Sequence, residues 1–166
     1  MATAIETKAI DTKKVTGRRR LHFDTLDDVL ADAEQLANAG EILQLGNWSP
    51  GQTFEHLALT LNGSVDGTLP TLPWVVRSVV RLFMKRRFLN ETMSPGFKLP
   101  KKAAYLVPGP TSLERGLEDL RQAIARAKSA HRRGLNPALG PLTDDEWKQL
   151  DCRHAELHLS FLVPGN

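Results

Sequence analysis

From residue 25 onwards, a Ser or Thr is followed three residues later by Asp, Glu or Gln four times. Each time an apolar pattern spaced by three and four begins there. In that arrangement the hydroxyl and the later side chain satisfy helix-terminal N–H groups reciprocally, so each site reads as a helix start. Thr25 to Asp28 opens onto Leu26, Val29, Leu30, Ala33, Leu36 and Ala37. Ser49 to Gln52, with Pro50 at the first helical position, opens onto Phe54, Leu57, Ala58 and Leu61. Thr111 to Glu114 opens onto Leu113, Leu117, Leu120 and Ile124, continued by Ala127 and His131. Thr143 to Glu146 opens onto Trp147, Leu150, His154, Leu157, His158 and Phe161. Four helices with one apolar face each must bury those faces against one another, and no segment alternates with the period of a strand. The expected fold is all-α, most simply a four-helix bundle.

The helix ends follow from similar chemistry. Asn38, Ala39 and Gly40 close the first helix, and the second loses its pattern between Gly63 and Gly67. The third is expected to run to about Arg133, with Lys128, Arg132 and Arg133 against the negative end of its dipole and Gly134 as its stop. Between helices two and three lies an insertion. Residues 72–89 are the most apolar stretch, but Arg77 and Arg81 interrupt them well short of the ~20 apolar residues of a membrane span. Arg77, Arg81 and Lys85 recur every four residues, with Val75, Val76, Val79, Leu82 and Phe83 spread around the other sides. Such a basic amphipathic helix could lie on a membrane surface. An extra helix closing one end of the bundle is the reading adopted, and a membrane partner is not expected.

Residues 90–110 form a Pro- and Gly-punctuated loop, long enough to suggest that it covers a site; its Lys101, Lys102 and Tyr105 could face a ligand, with solvated lysines the reading adopted. Residues 1–20 lack a sustained apolar period and are expected to be a mobile tail, leaving 21–166 as a single domain. The excess of 22 basic over 19 acidic residues is too small to imply nucleic acid. One cysteine, Cys152, excludes an internal disulfide and fits a reducing compartment. The Arg18–Arg20 run is followed by Asp24, Asp27 and Asp28 where a signal peptide would be apolar, so a cytoplasmic location is expected.

The last helix carries the chemistry. His154 and His158 stand one turn apart on its apolar stripe, the (i, i+4) spacing at which two imidazoles can share one ion. A buried imidazole needs partners for both ring nitrogens, and a metal satisfies one. His56 on the second helix would complete three neutral ligands, leaving positions for water or substrate. It points away from the Phe54/Leu57/Ala58/Leu61 face, so either that helix is buried on two sides or His56 is at the surface. Asp151 shares the face of His154 and is the carboxylate placed to support the site from outside the ligands, although a carboxylate near a helix start is more often simply solvated. Glu55 and Glu156 do not share their histidines' faces. Cys152 lies about 160° around from His154 and reads as an inert, buried thiol. His131, in a last turn, reads as structural, and His22 has no evident role. Imidazoles suit zinc, nickel, copper and iron alike.

The run WSPGQTFEHLA (Trp48 to Ala58), together with EWKQLDCRHAELHL (Glu146 to Leu159), resembles the DinB/YfiT-like superfamily of metalloenzymes. More narrowly it is similar to a bacterial branch of that superfamily known only as a domain of unknown function. The likeness spans roughly Arg20 to Leu162 and includes GPLTDDEW before the last helix. It implies a four-helix bundle, commonly dimeric, with an H-x-x-x-H pattern on the last helix and a third histidine from helix two. Carried onto this sequence these are His56, His154 and His158, with zinc or nickel as the expected metal. It also implies a reaction class: transfer of a low-molecular-weight thiol, thiol-dependent isomerisation, or hydrolysis of a small molecule. Related sequences often have a histidine at the place of Leu157 and a glutamine at that of Phe161, so the surroundings here are drier. The rival expectation is a non-catalytic dimeric helical bundle whose histidines are core or vestigial.

Overall fold

In the computed structural model, residues 9–97, 99–131 and 133–165 are described. Arg132, expected at a helix end, and the first eight residues of the expected tail lie outside them, as does Asn166. Five α-helices form: α1 (Leu26–Asn38), α2 (Pro50–Asp66), α3 (Trp74–Asn90), α4 (Leu113–Ser129) and α5 (Asp144–Leu159). Three of the four expected starts are complete capping boxes, Thr25 with Asp28, Ser49 with Gln52 and Thr143 with Glu146. The fourth is not. Ser112 alone caps α4, accepting from the Arg115 N–H, while the Thr111 hydroxyl bonds Glu55 on α2.

The end of α4 also differs from expectation. It stops at Ser129, with Ala130 already extended. Arg133 is therefore not a dipole partner: its side chain turns inward, 4% exposed, and pairs with Asp151 on α5 at 2.7 Å. Gly134 is needed not as a helix stop but for close approach. Its N–H donates to the Ser64 carbonyl at 2.7 Å, and a Cβ there would collide with the Gly67 backbone. Leaving the helix axis lets Arg133 reach Asp151 and Gly134 reach the α2 backbone.

One hydrophobic core is shared by α1, α2, α4 and α5, from Leu26, Val29, Ala33 and Leu36 through Phe54, Leu57 and Leu61 to Leu120, Ile124, Cys152, Ala155 and Leu159. At one end of the α2–α4 contact the helices meet through glycines: a Cβ on Gly116 would stand 2.9 Å from the Gly51 Cα and nearer still to its oxygen. The expectation of a chain without strands is corrected. β1 (Ile42–Gln44) and β2 (Leu162–Pro164) pair antiparallel, with Leu43 opposite Val163. Three residues are too few to show a period, and the pairing joins the segment after α1 to the one after α5. Residues 9–20, read from the sequence as part of a tail, include a single 3₁₀ turn (Thr12–Lys14) and lie against the body. Arg19 forms a bidentate pair with Asp32 at 2.7 and 2.8 Å, and Asn47 exchanges two hydrogen bonds with the Ile10 backbone.

The insertion is inside out relative to an ordinary amphipathic helix. The inward side of α3 is its basic stripe: Lys85 pairs with Glu146 of α5, and Arg81 donates to the Leu139 and Pro141 carbonyls. Long aliphatic stems can cover apolar surface while their charged heads reach polar partners. Leu89 joins Trp147 and Leu150 in a small second core that seats the helix on α5. The outward side exposes Trp74 (71%), Leu82 (77%) and Phe83 (75%). Among the described residues no helix is long and apolar enough to cross a membrane. The loop after α3 is not structureless: Lys101–Leu106 form a 3₁₀ helix whose Ala103 and Leu106 are buried, while Lys101 and Lys102 are solvated as expected.

Candidate metal centre

His56, in the second turn of α2, faces His154 and His158 on α5, and one ring nitrogen of each lies within 4.8 Å of the others. The question of which way His56 points is answered by two-sided burial of α2. One side enters the shared core. On the other, His56 is 3% exposed beneath the 3₁₀ helix. That loop supplies a specific contact: the Leu106 carbonyl lies 2.7 Å from His56 Nδ1. A carbonyl can only accept, so Nδ1 carries the proton and Nε2 keeps its lone pair for the centre.

His154 and His158 are partly buried, their Nε2 atoms 3.0 Å apart. Trp48, the residue before the α2 cap, stacks on His158 with centroids 5.4 Å apart and planes at 16°, and its ring lies 4.6 Å from that of His56. The indole thus walls one side of the cluster and holds two rings in place.

Burial sets the charge state. It pulls the His154 pKa down to about 3, helped by the neighbouring His56, and takes His158 well below its ordinary value, helped by His154 and His56. Burial also lowers His56, against the opposing pull of the Leu106 carbonyl. All three are neutral at physiological pH, the form in which imidazole binds metal. Donors on a tetrahedral ion with bonds of ~2.0–2.1 Å stand roughly 3.3 Å apart, so the 3.0 Å between the two Nε2 atoms needs only a small ring rotation to admit one. The three histidines could hold a metal ion.

The carboxylates sit elsewhere. The Asp151 side chain pairs with Arg133, and among the described residues it makes no hydrogen bond to a histidine. Burial pushes its carboxyl up to about 6 in spite of that guanidinium. Arg133 also donates to the Ser64 hydroxyl and lies over the Trp147 ring at 4.5 Å. Glu55 is held by Thr111. Glu156, 1% exposed, pairs with Arg153 at 2.6 Å and accepts from the Phe23 N–H at 2.7 Å, on another face of α5. Cys152 is buried in the core, its thiol pushed up to about 12 chiefly by burial, which makes it inert. His22 and His131 are exposed.

Sequence reasoning passed over three contributors. Trp48 opens the WSPGQTFEHLA run but carries no role there. The Leu106 carbonyl is a backbone group with no sequence signal. Arg133 was assigned to a helix end rather than to a buried ion pair.

Core, caps and cluster together define a mostly helical protein in which three neutral histidines from two helices could hold a metal ion. The chain belongs to the family described as "Protein of unknown function (DUF1569)", whose model matches residues 15–165. No curated protein and no solved structure gives a significant match.

Proposed function

We propose that His56, His154 and His158 bind one divalent transition metal, zinc or nickel, in a four-helix bundle of the DinB/YfiT type. On this reading the protein is a metal-dependent transferase or hydrolase acting on a small molecule, with a low-molecular-weight thiol as the natural co-substrate of the transferase. The observation that carries it is the convergence of three neutral imidazoles, one with its outer nitrogen tied to a backbone carbonyl. That tie is how metal-binding histidines are generally oriented and made more basic. The core shared by α1, α2, α4 and α5 supports the bundle assignment.

A bound ion would supply Lewis acidity, and three uncharged ligands would leave its positive charge undiminished. The chain's own residues do the rest. Leu106 fixes the His56 tautomer, Trp48 shields the imidazoles from water on one side, and Leu157 and Phe161 add no polar group. With Asp151 engaged by Arg133, proton transfer falls to the substrate or to water rather than to a carboxylate of this site.

Metal analysis of protein purified without an affinity tag tests the reading. One ion per chain is expected, lost in His154→Ala and His158→Ala; stoichiometric metal that survives either change overturns the ligand assignment. A second reading, histidines as core packing in a non-catalytic bundle, is favoured by the direct His154–His158 contact, since two neutral rings can satisfy each other without an ion. It predicts no bound metal in the parent or in any of the three histidine variants.

A further inference from the structure

The exposed face of α3 is a broad apolar surface, and we propose that it is the site at which a second copy of this chain docks. Six apolar residues make it: Trp74, Val75, Val76, Val79, Leu82 and Phe83, between 43% and 77% exposed. At ordinary side-chain areas they present roughly 700 Å², above the ~300–600 Å² of the largest apolar patch on a typical monomer and close to the ~800 Å² that each partner contributes to a standard interface.

The pattern also says which partner. About the Ser78–Val79 bond the outer apolar positions mirror one another, while Val76 falls opposite the inward-turned Arg81 and Val79 opposite Ser78. Trp74 mirrors Phe83 and Val75 mirrors Leu82. Two copies of α3 related by an antiparallel twofold would therefore stack Trp74 on the partner's Phe83 and Val75 on the partner's Leu82, which is what an isologous contact requires. Ser78, at the axis, bonds its hydroxyl to the Trp74 carbonyl and so brings no unsatisfied polar group.

Charge argues in the same direction. Within the patch the two ionised residues, Arg77 and Arg81, are turned towards the protein, Arg81 onto the Leu139 and Pro141 carbonyls. Lys85 is paired with Glu146. Two of the three cations of the stripe, Arg81 and Lys85, are thus already engaged inside the molecule, and Arg77 is turned inward beside them. What faces outward is apolar and uncharged from Trp74 to Phe83, the composition of an interface core. Arg86 and Arg87 lie beyond it, at the rim.

Light scattering on the eluting full-length protein, with and without chelator, tests this. The expected mass is twice 18.4 kDa at micromolar concentration, independent of metal, falling two-fold in Leu82→Glu and Phe83→Glu. Both positions are solvent-exposed, so the variants should keep the parent's helical circular dichroism. If either lost its fold, dilution of the parent would decide instead: Trp74 emission, isolated by comparison with Trp74→Phe, should shift to the red as dimers dissociate. A parent that is monomeric throughout, or a folded Leu82→Glu that keeps the doubled mass, overturns the proposal. A monomeric parent that co-sediments with anionic vesicles overturns it too, and gives the face to lipid.

Discussion

Gly116→Ala is the substitution on which helix propensity and packing disagree in sign. In an exposed helix interior, alanine is about 1 kcal/mol better than glycine. Gly116 lies in the first turns of α4, so propensity alone predicts a gain. But the added Cβ would sit 2.9 Å from both the Cα and the carbonyl carbon of Gly51, and nearer still to its oxygen. Carbon atoms rest about 3.5–4.0 Å apart, so the helices would have to separate there by roughly 0.6–1 Å. The obstacle is backbone, not the tip of a flexible side chain, so nothing local can give way. A gap of that size forfeits about a quarter to a half of each contact it opens, and Phe54, Leu57, Leu120 and Ile124 lie in the core just beyond. Overpacking costs about 1–3 kcal/mol, and a rigid neighbour places this site at the upper end.

Set against the propensity gain, the net loss is about 2 kcal/mol. At ~2–4 °C per kcal/mol for a chain of this length, the melting temperature should fall by roughly 4–8 °C. Thermal melts followed by circular dichroism measure it. Gly109→Ala is the control, because a Cβ there meets nothing within 4 Å, and it should leave the melting temperature unchanged or slightly raised. A Gly116→Ala protein that melts at or above the parent would refute the account of the α2–α4 contact.

Two further predictions concern buried charge. Asp151→Asn leaves Arg133, 4% exposed, without its counter-charge while preserving a hydrogen-bond acceptor; the loss should be about 2–3 kcal/mol in urea unfolding, and the double replacement Arg133→Met with Asp151→Leu should recover most of it. In metal-stripped protein, stability should fall as pH drops below about 6.5, because the unfolded histidines take up protons that the folded ones refuse, His154 until about pH 3. Asp151 acts oppositely between its ordinary 3.8 and its folded value of about 6, where the folded carboxyl holds a proton the unfolded chain releases. It offsets one histidine, so the parent should lose up to ~1.4 kcal/mol for each further histidine per pH unit, and His154→Ala should show a shallower slope; identical slopes in pH-dependent melts would contradict the neutral state of His154.

The candidate ligands were legible because their signals are local. His154 and His158 are four apart on a helix whose start is written in Thr143 and Glu146, and that spacing alone stacks them. His56 was half legible: its helix was evident, its direction was not, since helix periodicity describes one buried face and α2 has two. The second is created by Leu106, fifty residues away, which covers it. On α5 the stripe read from the sequence captured Trp147 and Leu150, but Cys152, Ala155 and Leu159 are the residues that enter the main core.

The sequence by itself determined where helices begin, because caps and turn residues act within three or four positions. It also determined that their apolar faces must meet. Tertiary structure alone decided what depends on distant partners. α4 stops at Ser129, short of Arg133, whose side chain pairs with Asp151 on α5. β1 and β2 exist because the segment after α1 meets the segment after α5. The basic side of α3 turns inward because Glu146 and free carbonyls await it, leaving the apolar side to the surface. Amphipathicity states that two faces differ; which one is covered depends on what the rest of the chain brings to it.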